Sequence, residues 1–126
     1  MDPISQIVPN LGEAPIRRLV SGFYQRVRQD DLIGPMYPPG DWEGAEKRLA
    51  DFLVYRLGGP QTYLEQRGHP RLRARHFPFP IGSAARDRWL ELMGQAMQEA
   101  ALPEAESSLL TQFFSDVAEA MRNRAD

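Results

Sequence analysis

Gly68-His69-Pro70-Arg71-Leu72-Arg73-Ala74-Arg75-His76-Phe77-Pro78-Phe79-Pro80-Ile81 holds both histidines of the chain. It belongs to a connector, residues 58–82, with room for two short helical turns, at about Gln61–Glu65 and from Pro70 to Arg75 or His76. His76 closes a short basic stretch and runs into alternating aromatics and prolines. A neutral imidazole is a common metal ligand, and a stiff apolar connector would present one such nitrogen to a buried metal. Taken alone, the segment slightly favours the plainer reading, a core or cap histidine.

The sequence around it reads as helices. Ile16, Leu19, Val20, Phe23, Tyr24 and Val27 follow the three-and-four spacing of one helix face between about Pro15 and Arg28. A short helix over Ser5–Val8 is expected before it, ended by Pro9-Asn10. The stretch Gly34-Pro35-Met36-Tyr37-Pro38-Pro39-Gly40 excludes a regular helix. Asp41 is placed to cap a second long helix running to about Leu57, with Trp42, Ala45, Leu49, Phe52 and Leu53 inward. Gly58-Gly59-Pro60 ends it. Ser83 is placed to cap a third, Ala84–Ala101, with Trp89, Met93, Ala96, Met97 and Ala100 on one face. Pro103 separates a fourth, Glu104–Arg122, whose inward residues are Leu110, Phe113, Phe114, Val117, Ala118 and Met121. No segment alternates with a period of two, so the fold class is all-α. Such a long structured connector is foreign to a plain bundle, which uses short loops, and is often functional.

Composition narrows the function. The 126 residues suit one domain, residues 1–126. A net charge of −2 argues against nucleic acid as a partner. The absence of cysteine excludes disulfides, thiolate zinc, iron–sulfur clusters and covalent c-type haem. No run approaches the ~18 apolar residues of a membrane span, and Met1-Asp2-Pro3-Ile4 does not open a signal peptide; a cytoplasmic protein without membrane partners is expected. The serines carry no nucleophile elbow, and there is no H-E-x-x-H helix, P-loop or dinucleotide fingerprint. Polar handles remain on inward faces, namely Tyr24, Tyr37 and Trp89, each an ordinary core aromatic when taken singly. Arg67, Arg71, Arg73 and Arg75 form a basic patch beside His76, a solvated face or the seat of an anionic ligand.

Several motifs resemble one family. Gly58-Gly59-Pro60-x-Thr62-Tyr63 is followed by Gln66-Arg67-Gly68-His69-Pro70-x-Leu72-Arg73-x-Arg75-His76-x-Pro78-Phe79-x-Ile81 and by Arg86-Asp87-x-Trp89-Leu90. With Phe23-Tyr24, Tyr37-Pro38 and Gly44-Ala45-Glu46-x-Arg48-Leu49, they span about residues 16–97 and are similar to the group II, or O-type, truncated haemoglobins. The chain departs from the wider pattern at Pro9-Asn10-Leu11-Gly12, where truncated globins often carry a Gly-Gly pair.

The resemblance implies a shortened globin, two helices over two, around one non-covalent haem b. It implies His76 as the proximal iron ligand, and Tyr24, Tyr37 and Trp89 as distal residues that stabilise bound O2 by hydrogen bonds. Ala45 and Leu49 would line the distal pocket. Arg48, Tyr63 and Arg75 would stand near the propionates, with Phe52, Phe79, Ile81 and Met93 packing on the haem. His69 is read as structural. The implied partners are O2, CO, NO or other small haem ligands, with the chain a monomer or homodimer. Reversible gas binding is the first functional expectation. A haem redox enzyme, an NO dioxygenase or peroxidase-like, shares every site residue and would need a separate reductase. A haem-free helical interaction module is the third reading.

Overall fold

Ile16, Leu19, Val20, Phe23, Tyr24 and Val27 are all buried, so the stripe read from spacing is the inner face of a real helix. The computed structural model describes residues 2–68 and 71–125. A 3-10 turn, Pro3–Gln6, leads into α1 (Ile7–Leu11) and α2 (Glu13–Val27). A second 3-10 turn, Gly34–Met36, precedes α3 (Trp42–Arg56), and the connector carries α4 (Thr62–Arg67) and α5 (Leu72–His76). The last two long helices are α6 (Ser83–Ala100) and α7 (Glu104–Met121). There is no strand among the described residues. α2 packs on both α3 and α6, and α6 packs on α7, around one cluster of buried apolar side chains. That is the expected two-over-two helical arrangement.

Three local expectations need correction. The first short helix is displaced: Pro9 lies inside α1, in its first turn, where a missing N–H leaves no helical bond unmade. The helix stops at Gly12 instead, whose φ of 83° turns the chain directly into α2. Asp41 stands at the N-cap of α3 but its carboxylate pairs with Arg48 at 2.9 Å and caps no backbone N–H. Ser83 is the first residue of α6, and Gly82 takes the cap position with extended backbone.

The end of α3 is tied to the beginning of the chain. The Val8 N–H donates to the Leu57 carbonyl at 2.9 Å, and the Gly59 N–H to Val54 at 2.8 Å. Between them Gly58 has φ 99°, and a Cβ built there would stand 1.9 Å from the Ser5 carbonyl oxygen. That oxygen belongs to the backbone and cannot step aside. Asp51, 6% exposed, sits on α3 between Arg17 at 3.0 Å and Lys47 at 2.6 Å. The Arg17 pair holds α3 against α2, and the Lys47 pair lies within α3, where periodicity alone gave no reason to expect a buried polar group.

Gly58→Ala is expected to destabilise the fold by about 2 kcal/mol or more, from the left-handed backbone and the clash together. Guanidinium unfolding of the two proteins measures this. An unchanged midpoint would refute the close approach of Gly58 to Ser5.

Candidate functional site

The turn after α2 is set by one carboxylate. Asp30 accepts the N–H groups of Leu32 at 3.0 Å and Ile33 at 2.9 Å, and Arg88 of α6 donates to it at 2.5 Å. Burial pushes the Asp30 carboxyl up, but the N–H of Ile33, the Arg88 guanidinium and the N–H of Leu32 outweigh it and hold it below the usual carboxylate range. The turn is thereby fastened to α6, one residue from Trp89. Its continuation brings Ile33, Met36 and Tyr37 to the same space as Tyr24.

The three polar aromatics meet there. The Tyr24 and Tyr37 rings lie edge to face with centroids 5.6 Å apart, and Phe23 bridges Tyr24 at 5.3 Å and Trp89 at 5.1 Å. The two phenols face each other closely enough to shift one another's proton affinity, and Trp89 acts on Tyr37 in the same way. An indole N–H can only donate, so Trp89 faces Tyr37 as a donor group. Burial, above all, pushes both phenols above their ordinary range. They therefore stay neutral hydroxyls, able to donate, throughout the physiological range.

These groups border a cavity of about 370 Å³, a size typical of small-ligand sites. Its walls include Tyr24, Tyr37, Ala45, Arg48, Leu49, Phe52, Tyr63, Arg75, His76, Phe79, Ile81 and Trp89. Every site residue expected from the sequence is present on this wall except Met93. That side chain is buried, 1% exposed, but one turn beyond Trp89. Four residues advance a helix by about 6 Å, which carries Met93 past the cavity into the packing between helices. Arg48 reaches the wall with its charge engaged by Asp41. His69 lies outside the described residues, as do the side chains of Arg67 and Arg73.

The sequence reading missed part of the wall. Phe113, Phe114, Val117, Ala118 and Met121 of α7 line it, although their stripe reads as plain core. Arg86 also lines it and pairs with Asp87 at 3.0 Å and with Glu119. Ile33 and Met36 could have been suspected as neighbours of Tyr37 in the Pro/Gly turn. Tyr55 is not on the wall; it stacks on Tyr63 with centroids 6.3 Å apart, while Phe52 meets the same ring edge-on.

A family model described as bacterial-like globin matches residues 9–123. A group 2 truncated haemoglobin of Bacillus subtilis (strain 168) is 45% identical over 92 residues, which make up 73% of this chain and 69% of that protein. Among solved structures, the haemoglobin of the thermophilic phototrophic bacterium Chloroflexus aurantiacus is similar with a TM-score of 0.89 at 44% identity, covering 98% of this chain and 100% of that one. The truncated oxygen-avid haemoglobin of Bacillus subtilis is similar with a TM-score of 0.87 at 37% identity, covering 92% and 98%. The chain therefore belongs to the bacterial-like globin family and, within it, to the group II truncated haemoglobins.

Membership implies a haem, and the residues present suit one. The walls are mostly apolar, with the His76 imidazole on them and the cationic side chains Arg48, Arg75 and Arg86 also lining the cavity. No group of three or more His, Cys, Asp or Glu side chains gathers among the described residues. The donor set thus fits a flat apolar cofactor carrying its own in-plane ligands and anionic edge groups better than a bare metal ion.

Because the folded Asp30 carboxyl lies below its unfolded range, the stability it contributes is present above about pH 4 and is lost as pH falls through the folded value. Wild type is expected to exceed Asp30→Asn in stability at neutral pH, with the gap narrowing steadily on acidification below about pH 4. Urea unfolding at a series of pH values reads this, and a gap independent of pH would refute the role of the charge.

Proposed function

We propose that this chain binds one non-covalent b-type haem through His76 and holds O2 reversibly beside Tyr24, Tyr37 and Trp89. The observation that supports it most is the convergence in one cavity of the His76 imidazole and three neutral polar aromatics. The relative described as oxygen-avid supports the choice of gas. The lack of cysteine leaves no covalent attachment of the c type. A haem held by one histidine supplies an iron with a further axial position open to O2, CO or NO.

The protein's part is to prepare both sides. His76 gives a nitrogen ligand from the end of α5, where a five-residue helix and the Pro78 and Pro80 that follow restrict its path. Tyr24, Tyr37 and Trp89 are packed together through Phe23 on one part of the wall, so their polar atoms are preset before any gas arrives. Arg48, Arg75 and Arg86 complement anionic edge groups. Ala45 contributes no donor and leaves a narrow apolar way in past α3.

Donors that meet an anionic ligand end are worth about 1.5–3 kcal/mol each, and about 1.4 kcal/mol is tenfold in rate. Two or three acting together slow release strongly. That favours sensing, scavenging or redox work over bulk delivery. The enzymatic alternative, NO dioxygenation or peroxidase-like turnover, draws on the same groups and requires a separate reductase; NO consumption with an added reductase distinguishes it.

Purified protein reconstituted with haemin is expected to show a Soret band that moves on reduction with dithionite and again with CO. His76→Ala should lose the wild-type ferrous and CO spectra unless imidazole is added. Retention of those spectra without imidazole would remove His76 from the iron. Trp89→Phe should release O2 at least about tenfold faster in stopped-flow while still binding haem; an unchanged off-rate would leave Trp89 with no part in holding the gas.

A further inference from the structure

Asn123 follows α7 and is half-buried against the connector. Its side-chain amide reaches two separate backbone groups. Nδ2 donates to the His76 carbonyl at 3.1 Å, and Oδ1 accepts the Ile81 N–H at 3.0 Å. The Asn123 main-chain N–H donates to the Ile81 carbonyl at 2.8 Å, and the Arg124 N–H reaches the same oxygen at 3.1 Å. The Arg124 guanidinium lies 5.7 Å from the centroid of the Phe77 ring. Residues 76–81 therefore form a loop whose two ends are held by one amide, with its exposed middle covered in part by the next residue.

The chemistry makes this more than a surface contact. His76 is the last residue of α5, so its carbonyl has no partner inside the helix. The Phe79 N–H takes one side of that oxygen at 2.9 Å, and Asn123 takes the other. A helix as short as α5 has too few internal bonds to hold itself. A carboxylate could accept from Ile81 but not donate to His76, and a lysine the reverse; an amide does both. His76 and Ile81 also line the cavity with their side chains. The clasp thus grips, from the backbone side, the two residues that bound this part of the wall.

We propose that Asn123 is a positioning residue for His76, setting the height and rotation of its imidazole in the cavity by fixing both ends of the loop that follows it. The proposal rests on the reading of His76 as the axial ligand. A tether of this kind acts on ligand orientation as outer-shell groups do at other metal sites.

The test uses the full chain as wild type, Asn123→Ala, Asn123→Asp and His76→Gly. In the haem-free protein, hydrogen exchange at the Phe79 and Ile81 amides should speed up clearly in Asn123→Ala. In the haemin-reconstituted, reduced protein, the iron–imidazole stretching band in resonance Raman should shift and broaden in Asn123→Ala, with CO association altered several-fold. Asn123→Asp keeps the acceptor and loses the donor; it should shift the band while leaving Ile81 protected, and it serves should the alanine variant fail to fold. A merely structural role would lower the melting temperature and leave the band in place, and that result overturns the proposal, as does unchanged exchange. A wild-type band that is lost in His76→Gly but unmoved in the Asn123 variants defeats Asn123 alone. A band that survives in His76→Gly defeats the axial assignment itself.

Discussion

Asp30 joins parts that would otherwise move independently. Its carboxylate shapes the turn after α2 that leads to Tyr37, and binds the Arg88 of α6 beside Trp89. The helix crossing puts Tyr24 and Trp89 within reach of each other, but Tyr37 comes from a Pro/Gly stretch with little regular structure of its own. Without a buried charge to close it, that stretch would carry its phenol on a flexible arm. A buried carboxylate is normally a liability. Here two backbone N–H groups and a guanidinium satisfy it, and the distal side inherits its rigidity.

The same economy governs the aromatic cluster. Each of Tyr24, Tyr37 and Trp89 buries a large apolar ring and must still satisfy one polar atom. They gather in one place, Tyr24 and Tyr37 edge to face and Phe23 packed against both Tyr24 and Trp89. The result is a compact polar patch in a mostly apolar chamber, separate from His76 and the arginines on the wall. Such a patch distinguishes a ligand that develops negative charge from one that does not, because in a low-dielectric setting a preset dipole acts with little screening.

Helical periodicity made the four long elements legible, because burial and spacing agree along α2, α3, α6 and α7. The site was legible through motif resemblance: His76, Tyr24, Tyr37 and Trp89 look like ordinary residues until their neighbours in sequence are read together. What escaped has a common cause. Asp30 and Arg88 are fifty-eight positions apart, and neither leaves a local pattern. Asp41 sits where a cap belongs, yet a guanidinium one helical turn or two away competes for its carboxylate more strongly than the backbone does. Pro9 looks like a stop but falls where a helix tolerates it. The α7 wall was read as core because a residue facing a cavity and a residue facing a neighbour obey the same periodicity. Met93, expected beside the haem, is buried one turn beyond Trp89 and does not line the cavity.

Asn123 and His76 are forty-seven positions apart, and this separation bears on the order in which the molecule assembles. Contacts between distant positions form only after the entropy of closing the intervening chain has been met. α2, α6 and α7 can find one another through broad apolar faces. The short α5 and the loop after it have no such face, so their long-range bonds wait until α7 has docked and delivered residues 123–124. The wall around His76 is therefore expected to form late and to open early when the protein breathes.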